Sequence, residues 1–523
     1  MSAIITDQIR ILNAKSFVST ATSYATMYSF IGLTNPTEYD INWNTTPPAP
    51  KDCFDQENDY WDTMIALKKI KADDVKQVIR KITWSSGTTY DMYRHDISRD
   101  RPAYPSEALS LYTSNYYVVN QDYKVYICLQ NGTTPENPQG SPSLDEPSFA
   151  DLEPKAAGSS GDGYIWKYLY TIKPSDIVKF DSINFMPVPK DWETNSENTS
   201  VRLNAAPPNG QLKIVTITNR GIKVGIAGRT YTRVPIKGDG IGAEATIFIN
   251  SNQKVDSITV SNGGSGYTYG TVDLIGGNVP VDIDTGGVEP TFNVIIPPQG
   301  GHGADIYREL GAYNVLIYSR IENDTQNPDF ITGNQIARVG LVCNPQAYNA
   351  TSILSLEKAS SLNALKLTGS GYNTAIFASN SNITQTVGTG ITAVGRVVSY
   401  DQSTGVLKYW QDKTLVGFAF TSGESQNTSP NYGLNLVRFT NYPSTGGSLT
   451  INGGSVNLLI DENFTGITTA INNKTYYLGQ NFNGGISNPE VKKYSGNVIY
   501  VDNRPSITRS PNQKEDIKVI LQF

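Results

Sequence analysis

From about Ile214 to the last residue, short segments of alternating apolar and polar character recur, separated by Gly, Asn and Ser. Alternation at period two puts every second side chain on one face of a strand. Glycine supplies the positive φ that tight returns require, without a Cβ clash. The segments include "IVTITNRG", "SITVSNGGSGYTYG", "YNVLIYSRI", "NALKLTG", "AVGRVVSYD", "GVLKYWQDKTLVGFAF", "SVNLLIDENF" and "GNVIYVDNRPSITR". In "EDIKVILQF", Ile517, Val519, Leu521 and Phe523 alternate to the end, so this terminus is expected in a sheet. The 46 Gly and 31 Tyr agree, because Gly weakens helix interiors while Tyr fits strands. The expected fold class is mainly β: multidomain β-sandwich or barrel-like modules with a few N-terminal helices.

Two of these segments read as copies of one unit. "IVTITNRG" and "SITVSNGG" each hold an alternating strand and an Asn-x-Gly turn, and "GDGIGAEATIFI" and "GGHGADIYREL" read as related glycine-rich returns. Two imperfect copies do not make a long solenoid. Toward the N-terminus, Ile11, Phe17, Ala21, Tyr24, Tyr28 and Ile31 recur at helical intervals, which predicts a helix from Asp7 to Ile31 stopped by Gly32. Trp61, Met64, Ile65 and Lys68 predict a second helix over "NDYWDTMIALKKI". "QVIRKITW" reads as a strand, although "DDVKQVIRKI" also fits a helix. "NYYVVN" and "DYKVYICLQN" read as strands. The loop from Gly132 to Gly163 that follows is too long for a simple hairpin. It either packs on a neighbouring part or stays mobile.

That loop leads into "DGYIWKYLYTI", Asp162 to Ile172, with three tyrosines and a tryptophan. Read as a strand, it places Tyr164, Trp166, Tyr168, Tyr170 and Ile172 on one face and Ile165, Lys167, Leu169 and Thr171 on the other. Neither face is polar, so the strand is expected to be covered on both sides, by a second layer or another chain.

A net charge of -6 gives no broad basic field. Lys68-Lys69 and Lys492-Lys493 are short and read as solvated faces, so direct nucleic acid binding is not expected. Cys53, Cys128 and Cys343 form no close pair and read as free thiols suited to a reducing compartment. The start "MSAIITDQIRILNAK" lacks a leader pattern, and the chain has no apolar run of membrane-spanning length, so no membrane partner is expected. In such an Asn/Thr-rich chain, the Asn-x-Ser/Thr triplets at Asn131, Asn382 and Asn427 arise by composition.

Catalytic signatures are sparse. His95 in "YRHDISRD" reads as a loop or interface residue, and His302 lies among turn glycines. Neither belongs to a zinc motif, and no cofactor or metal is expected. "GDGIGAEAT" lacks the lysine of a phosphate-binding loop. Asp52, Asp55, Glu57, Asp59 and Asp62 form an acidic run that could supply paired acids only across a cleft. Asp401, Tyr409, Trp410 and Asp412 could line a carbohydrate groove, with Tyr409 and Trp410 as the glycan contacts. Two alternatives stand on these residues: a carbohydrate-binding adhesin or fibre-associated module, and a polysaccharide-degrading enzyme.

"GDGYIWKYLYTI" at 161–172 and "GNVIYVDNRPSITRSPNQKEDIKVILQF" at 496–523 resemble a baseplate wedge protein of T-even-like contractile-tailed bacteriophages. "MYSFIG" and "YWDTMIALKKIKADDVKQVIRKITW" fit more loosely, so the resemblance covers about 10–190 and 490–523. It implies a non-enzymatic structural subunit of the virion tail baseplate, assembled in the host cytoplasm, dimeric and joined to other wedge proteins. The long middle, which departs from that family, is expected to reach a tail fibre or peripheral baseplate protein as a further partner. The implied domains are a composite core of 1–205 plus 490–523, a glycine-turn β-repeat module of 206–308, and inserted β-rich modules over 309–489. Carried onto this chain, Tyr164, Trp166, Tyr168, Tyr170, Tyr500, Asn503, Arg504 and Pro505 become packing or assembly candidates. Arg504 suits a bidentate carboxylate contact, and Asn503 and Pro505 suit a turn around it.

Overall fold

The computed structural model describes residues 4–23, 25–34, 43–205, 210–322, 335–411, 437–510 and 513–523. Tyr24, Asp412, Asn427 and the second half of "GVLKYWQDKTLVGFAF" lie outside them. The chain is mainly β, with 41% strand and 12% helix, in several curled half-barrel and near-barrel sheets. It divides into two compact units, each built from separated stretches: 1–18, 76–316 and 520–523 form the first, and 19–75 and 317–519 the second. The glycine-turn stretch shares a unit with the aromatic strand, and most of 490–523 belongs to the second unit.

The first unit centres on a three-stranded antiparallel sheet of Tyr117–Val119, Lys124–Asn131 and Tyr164–Thr171. Its core gathers Tyr116, Tyr117, Tyr126, Tyr164, Trp166, Tyr170 and Trp192, all buried. Aromatic rings fill such a space with few rotatable bonds, and each buried polar tip needs a partner. The partners are backbone carbonyls: Tyr116 Oη donates to Glu309 O, Tyr126 Oη to Phe149 O, and Tyr164 Oη to Ser141 O. The long loop is fixed against this sheet. Phe149 meets Tyr126 edge-on at 5.4 Å, and Lys155 exchanges two backbone hydrogen bonds of 3.0 Å with Trp166.

The glycine-turn stretch forms a four-stranded sheet in the spatial order Val255–Ser265, Ile241–Ile249, Thr230–Gly238 and Gly270–Val272. A separate pair joins Val215–Asn219 to Thr291–Val294. The two sequence copies share one local device. Asn219 Oδ1 accepts from Gly221 N at 2.9 Å, and Asn262 Oδ1 accepts from Gly264 N at 3.1 Å, with both glycines at positive φ. The expected return at "GGHGADIYREL" is instead a short helix, Ile306–Leu310, because Asp305 accepts from the Tyr307 and Arg308 amides and starts a turn.

The second unit carries a five-stranded sheet in the order Lys358–Ser360, Met64–Lys69, Met27–Gly32, Gln335–Cys343 and Asn497–Thr508. Both predicted helices are shortened to build it. The first covers Asp7–Ser23, and Tyr28 and Ile31 lie in the wholly buried strand Met27–Gly32. The second ends at Thr63, and Met64 turns extended into the strand Met64–Lys69. Each of these strands is hydrogen-bonded on both sides, and that pairing overrides the local helical spacing. The ambiguous "QVIRKITW" segment resolves as the strand Val75–Arg80. A further sheet runs Asn382–Gly388, Ile391–Asp401, Val406–Trp410, Asn363–Thr368, Leu458–Ile460 and Thr450–Ile451. The C-terminal segment forms the strand Lys514–Gln522, which lies beside Asn314–Glu322.

Candidate interaction surface

Asn497–Thr508 is the end strand of its sheet, and none of its twelve side chains is buried. It pairs with Gln335–Cys343 from Cys343↔Asn497 to Gln335↔Thr508. The register shifts between Ile336 and Arg338, so 504–506 have no partner residues in that ladder. Proline lacks an N–H to give a ladder and is confined to edges and bulges, which accounts for Pro505 at this point. Asn503, Arg504 and Pro505 therefore lie in an irregular strand rather than the expected turn.

The chain itself covers this irregular part. Trp43 Nε1 donates to Arg504 O at 2.8 Å, Asn503 Nδ2 donates to Pro48 O at 2.9 Å, and Ser506 N donates to Asn44 Oδ1 at 3.3 Å. Behind Asn503 sits Arg338, 1% exposed. Its Nε donates to Asn503 Oδ1 at 2.8 Å and its Nη1 to Thr63 Oγ1 at 2.6 Å. The guanidinium also lies 4.7 Å from the Tyr60 ring centre and 5.6 Å from that of Trp43. A delocalised cation held between aromatic faces with its donors satisfied fits a buried site better than an ammonium would. Arg504 points the other way. It is exposed, and its Nε contacts Asp502 Oδ2 two residues earlier at 2.5 Å, an arrangement worth little in water.

Between Asn497 and Asp502 the covering stops. Among the described residues, no backbone hydrogen bond reaches this stretch except through the neighbouring strand. A groove of about 500 Å³ runs beside it, lined by Lys51, Phe54, Tyr60, Ile499, Tyr500 and Val501 among others. Phe54 is 88% exposed and Ile499 44%. Tyr60 Oη bonds both the amide and the carbonyl of Lys51 at 3.0 Å, which fixes one wall. Burial raises the Tyr500 phenol above its usual range, so it stays neutral. An open strand edge beside exposed apolar side chains can accept another strand by backbone pairing, with side-chain pockets giving selectivity.

The aromatic strand is a different case. Tyr164, Trp166 and Tyr170 are enclosed in the core, and the Tyr164 and Trp166 rings stack at 5.3 Å. Tyr170 Oη donates to Pro187 O at 3.1 Å, while half-buried Tyr168 shares a hydrogen bond with Thr171 Oγ1. A register shift against Lys124–Asn131 that leaves Leu169 without a partner breaks the single face predicted for the tyrosines between Tyr168 and Tyr170. Lys167 is drawn inside as well. Its amine donates to Leu152 O at 2.7 Å and Asn204 Oδ1 at 3.0 Å, and burial pulls its pKa down to about 8.

Tyr409 and Trp410 do not form a glycan platform. They are 3% and 1% exposed and enter two separate apolar clusters, because neighbouring strand residues face opposite ways. Asp401 is occupied in a local turn with Ser403 and Thr404. In the acidic run, Asp62 is buried and accepts from Tyr494 Oη. His95 Nδ1 accepts from Ile296 N at 3.2 Å. His302 Nδ1 meets Glu309 Oε1 at 2.7 Å inside the core, and Gly303 N donates to Glu309 Oε2. Among the described residues no group of three His, Cys, Asp or Glu side chains could hold a metal ion, and no described helix is long and apolar enough to cross a membrane.

Arg338, Trp43 and the His302–Glu309 pair went unnoticed in the sequence. Only Arg338 left a signal: a lone cation within the alternating apolar "QIARVGLVC". No protein-family model matches the chain, and no curated protein matches its sequence.

Proposed function

We propose that this chain is a structural subunit of a contractile phage tail baseplate wedge, joining neighbouring wedge proteins and a second copy of itself. The carrying observation is the strand Asn497–Thr508, whose open stretch at 497–502 borders an apolar groove. It belongs to the "YVDNRPSI" segment on which the wedge-protein resemblance rests. The physical role follows from that geometry. Arg338 fixes the strand from inside through Asn503, so the edge is presented without a large ordering cost on association. A neighbouring strand would complete the backbone ladder while Phe54 and Ile499 become covered.

Two measurements test the reading. Mass spectrometry of tails purified from virions carrying this gene is expected to find the chain in the baseplate fraction, and sedimentation of the isolated chain is expected to find more than one copy per particle. Absence from the baseplate fraction would end the proposal.

A further inference from the structure

The second unit holds a cleft of about 170 Å³, lined by Asp62, Tyr348, Asn363, Arg438, Lys492 and Tyr494 among others. It lies below the roughly 300–1,000 Å³ of drug-sized sites, which limits an occupant to a small group. Two cations on its wall lack a counter-charge. Arg438 Nη1 donates to the neutral amide oxygen of Gln411 at 3.3 Å, and Lys492 Nζ donates to that of Gln346 at 3.0 Å. Neither forms an ion pair among the described residues. The carboxylate on the same wall is turned to another partner: Asp62 accepts from Tyr494 Oη, while Lys493 Nζ donates to the Asp62 carbonyl at 3.2 Å. Lys492 and Lys493, read from the sequence as a solvated face, thus border a concave site.

Much of the wall's hydrogen-bonding capacity is held in place and unused. Gln411 is 4% exposed, and its Nε2 donates to Val394 O at 3.1 Å and Val437 O at 2.9 Å, which aims its oxygen at Arg438. A guanidinium has five N–H donors. Those of Arg438 beyond the one on Gln411 have no partner among the described residues. Asn363 is an independent pointer to a ligand. It opens the strand Asn363–Thr368, lines the cleft and is 4% exposed. Its side-chain amide has no hydrogen-bond partner among the described residues, yet solvent still reaches both amide atoms. Polar groups buried to this extent ordinarily find a partner or a bound molecule. An amide presents both donors and an acceptor, so Asn363 matches a group that does both.

We infer that this cleft binds one inorganic phosphate. The Arg438 guanidinium and the Lys492 ammonium supply charge and N–H donors to the phosphate oxygens. Hydrogenphosphate also carries an O–H, which donates to Asn363 Oδ1, while Asn363 Nδ2 donates to a phosphate oxygen. Sulfate and carboxylate have acceptors alone and would leave the asparagine oxygen unpaired. The bound ion ties together residues 363, 438 and 492, which come from three separate stretches of the unit. The site stands or falls independently of the assembly role.

The test is calorimetric titration of the full chain with sodium phosphate in low-salt buffer near neutral pH, with sodium sulfate and sodium acetate as comparisons. Thermal unfolding is followed with and without phosphate. Phosphate is expected to saturate and to raise the unfolding midpoint, because a ligand of the folded state alone stabilises it. Sulfate and acetate are each expected to bind about tenfold more weakly, the equivalent of one lost hydrogen bond. Arg438→Gln and Lys492→Gln are each expected to weaken phosphate about tenfold, the equivalent of one charge-assisted contact. Both residues are exposed, and unfolding curves unchanged in the absence of phosphate would separate lost binding from lost fold. Failure of phosphate to saturate would overturn the inference, as would phosphate binding unchanged in both glutamine variants. Sulfate binding as tightly as phosphate would overturn the role given to Asn363 and with it the choice of phosphate.

Discussion

The aromatic strand Tyr164–Thr171 and the strand Asn497–Thr508 both lie at the end of their sheets. They treat that position in opposite ways. At Trp166 the edge is closed by the chain's own loop, through the paired backbone bonds with Lys155, and the ring is fully buried. Along 497–502 no described residue pairs with the free edge, while its neighbours 503–506 are covered by Trp43, Asn44 and Pro48. An exposed edge invites pairing with other chains, and proteins ordinarily block it. Beside exposed Phe54 and Ile499, no described residue pairs with the remaining stretch, which is the pattern expected of the assembly surface proposed above.

If that contrast is correct, substitutions in the two strands separate stability from association. Trp166→Ala is expected to have the largest effect, about 3–5 kcal/mol of lost stability in denaturant unfolding, as for other buried large aromatics. Arg338→Met is expected to cost about 3 kcal/mol, because it strands Asn503 and Thr63 without their buried donor. Hydrogen exchange would locate that loss, with faster exchange concentrated in Asn497–Thr508. An effect spread evenly over the unit would break the link between Arg338 and the edge.

Lys167 gives a pH test of the closed strand. Its amine is harder to charge in the fold, with a pKa lowered from 10.5 to about 8 by burial. Between these values the unfolded chain binds more protons, so this lysine makes stability rise with pH across that window. Lys167→Met removes the titration. Relative to the unaltered chain, the variant is expected to lose about 2–3 kcal/mol as pH goes from 8 to 10.5. A pH-independent difference would mean that the amine is wetter than its contacts imply.

The smallest stability effects belong to the open edge. Ile499→Lys is expected to change unfolding by less than about 0.5 kcal/mol, yet to abolish the self-association read by sedimentation. Arg504→Ala is expected to cost less than about 1 kcal/mol, since its bond to Asp502 is exposed. A large stability loss at Ile499 with association intact would reverse the roles given to the two strands.

The β character was legible because alternation and glycine turns are local signals, and the Asn219 and Asn262 turns match for that reason. Local spacing misled where distant pairing decides. Tyr28 and Ile31 fit a helix until Gln335–Cys343, three hundred residues away, supplies a ladder. The same distance hid the surroundings of Asn503, because Arg338 and Pro48, which bond it, and Thr63, which holds Arg338, come from three separate segments. Tyr409 and Trp410 show the converse. Aromatic residues suited to a sugar are equally suited to a core, and burial, which decided between them, is not written locally.

The most direct test is a cryo-electron microscopy map of intact tails at a resolution that traces strands. A strand from a neighbouring subunit is expected to be hydrogen-bonded along 497–502, with Phe54 and Ile499 covered. A map with this chain in the particle and that edge facing solvent would contradict it.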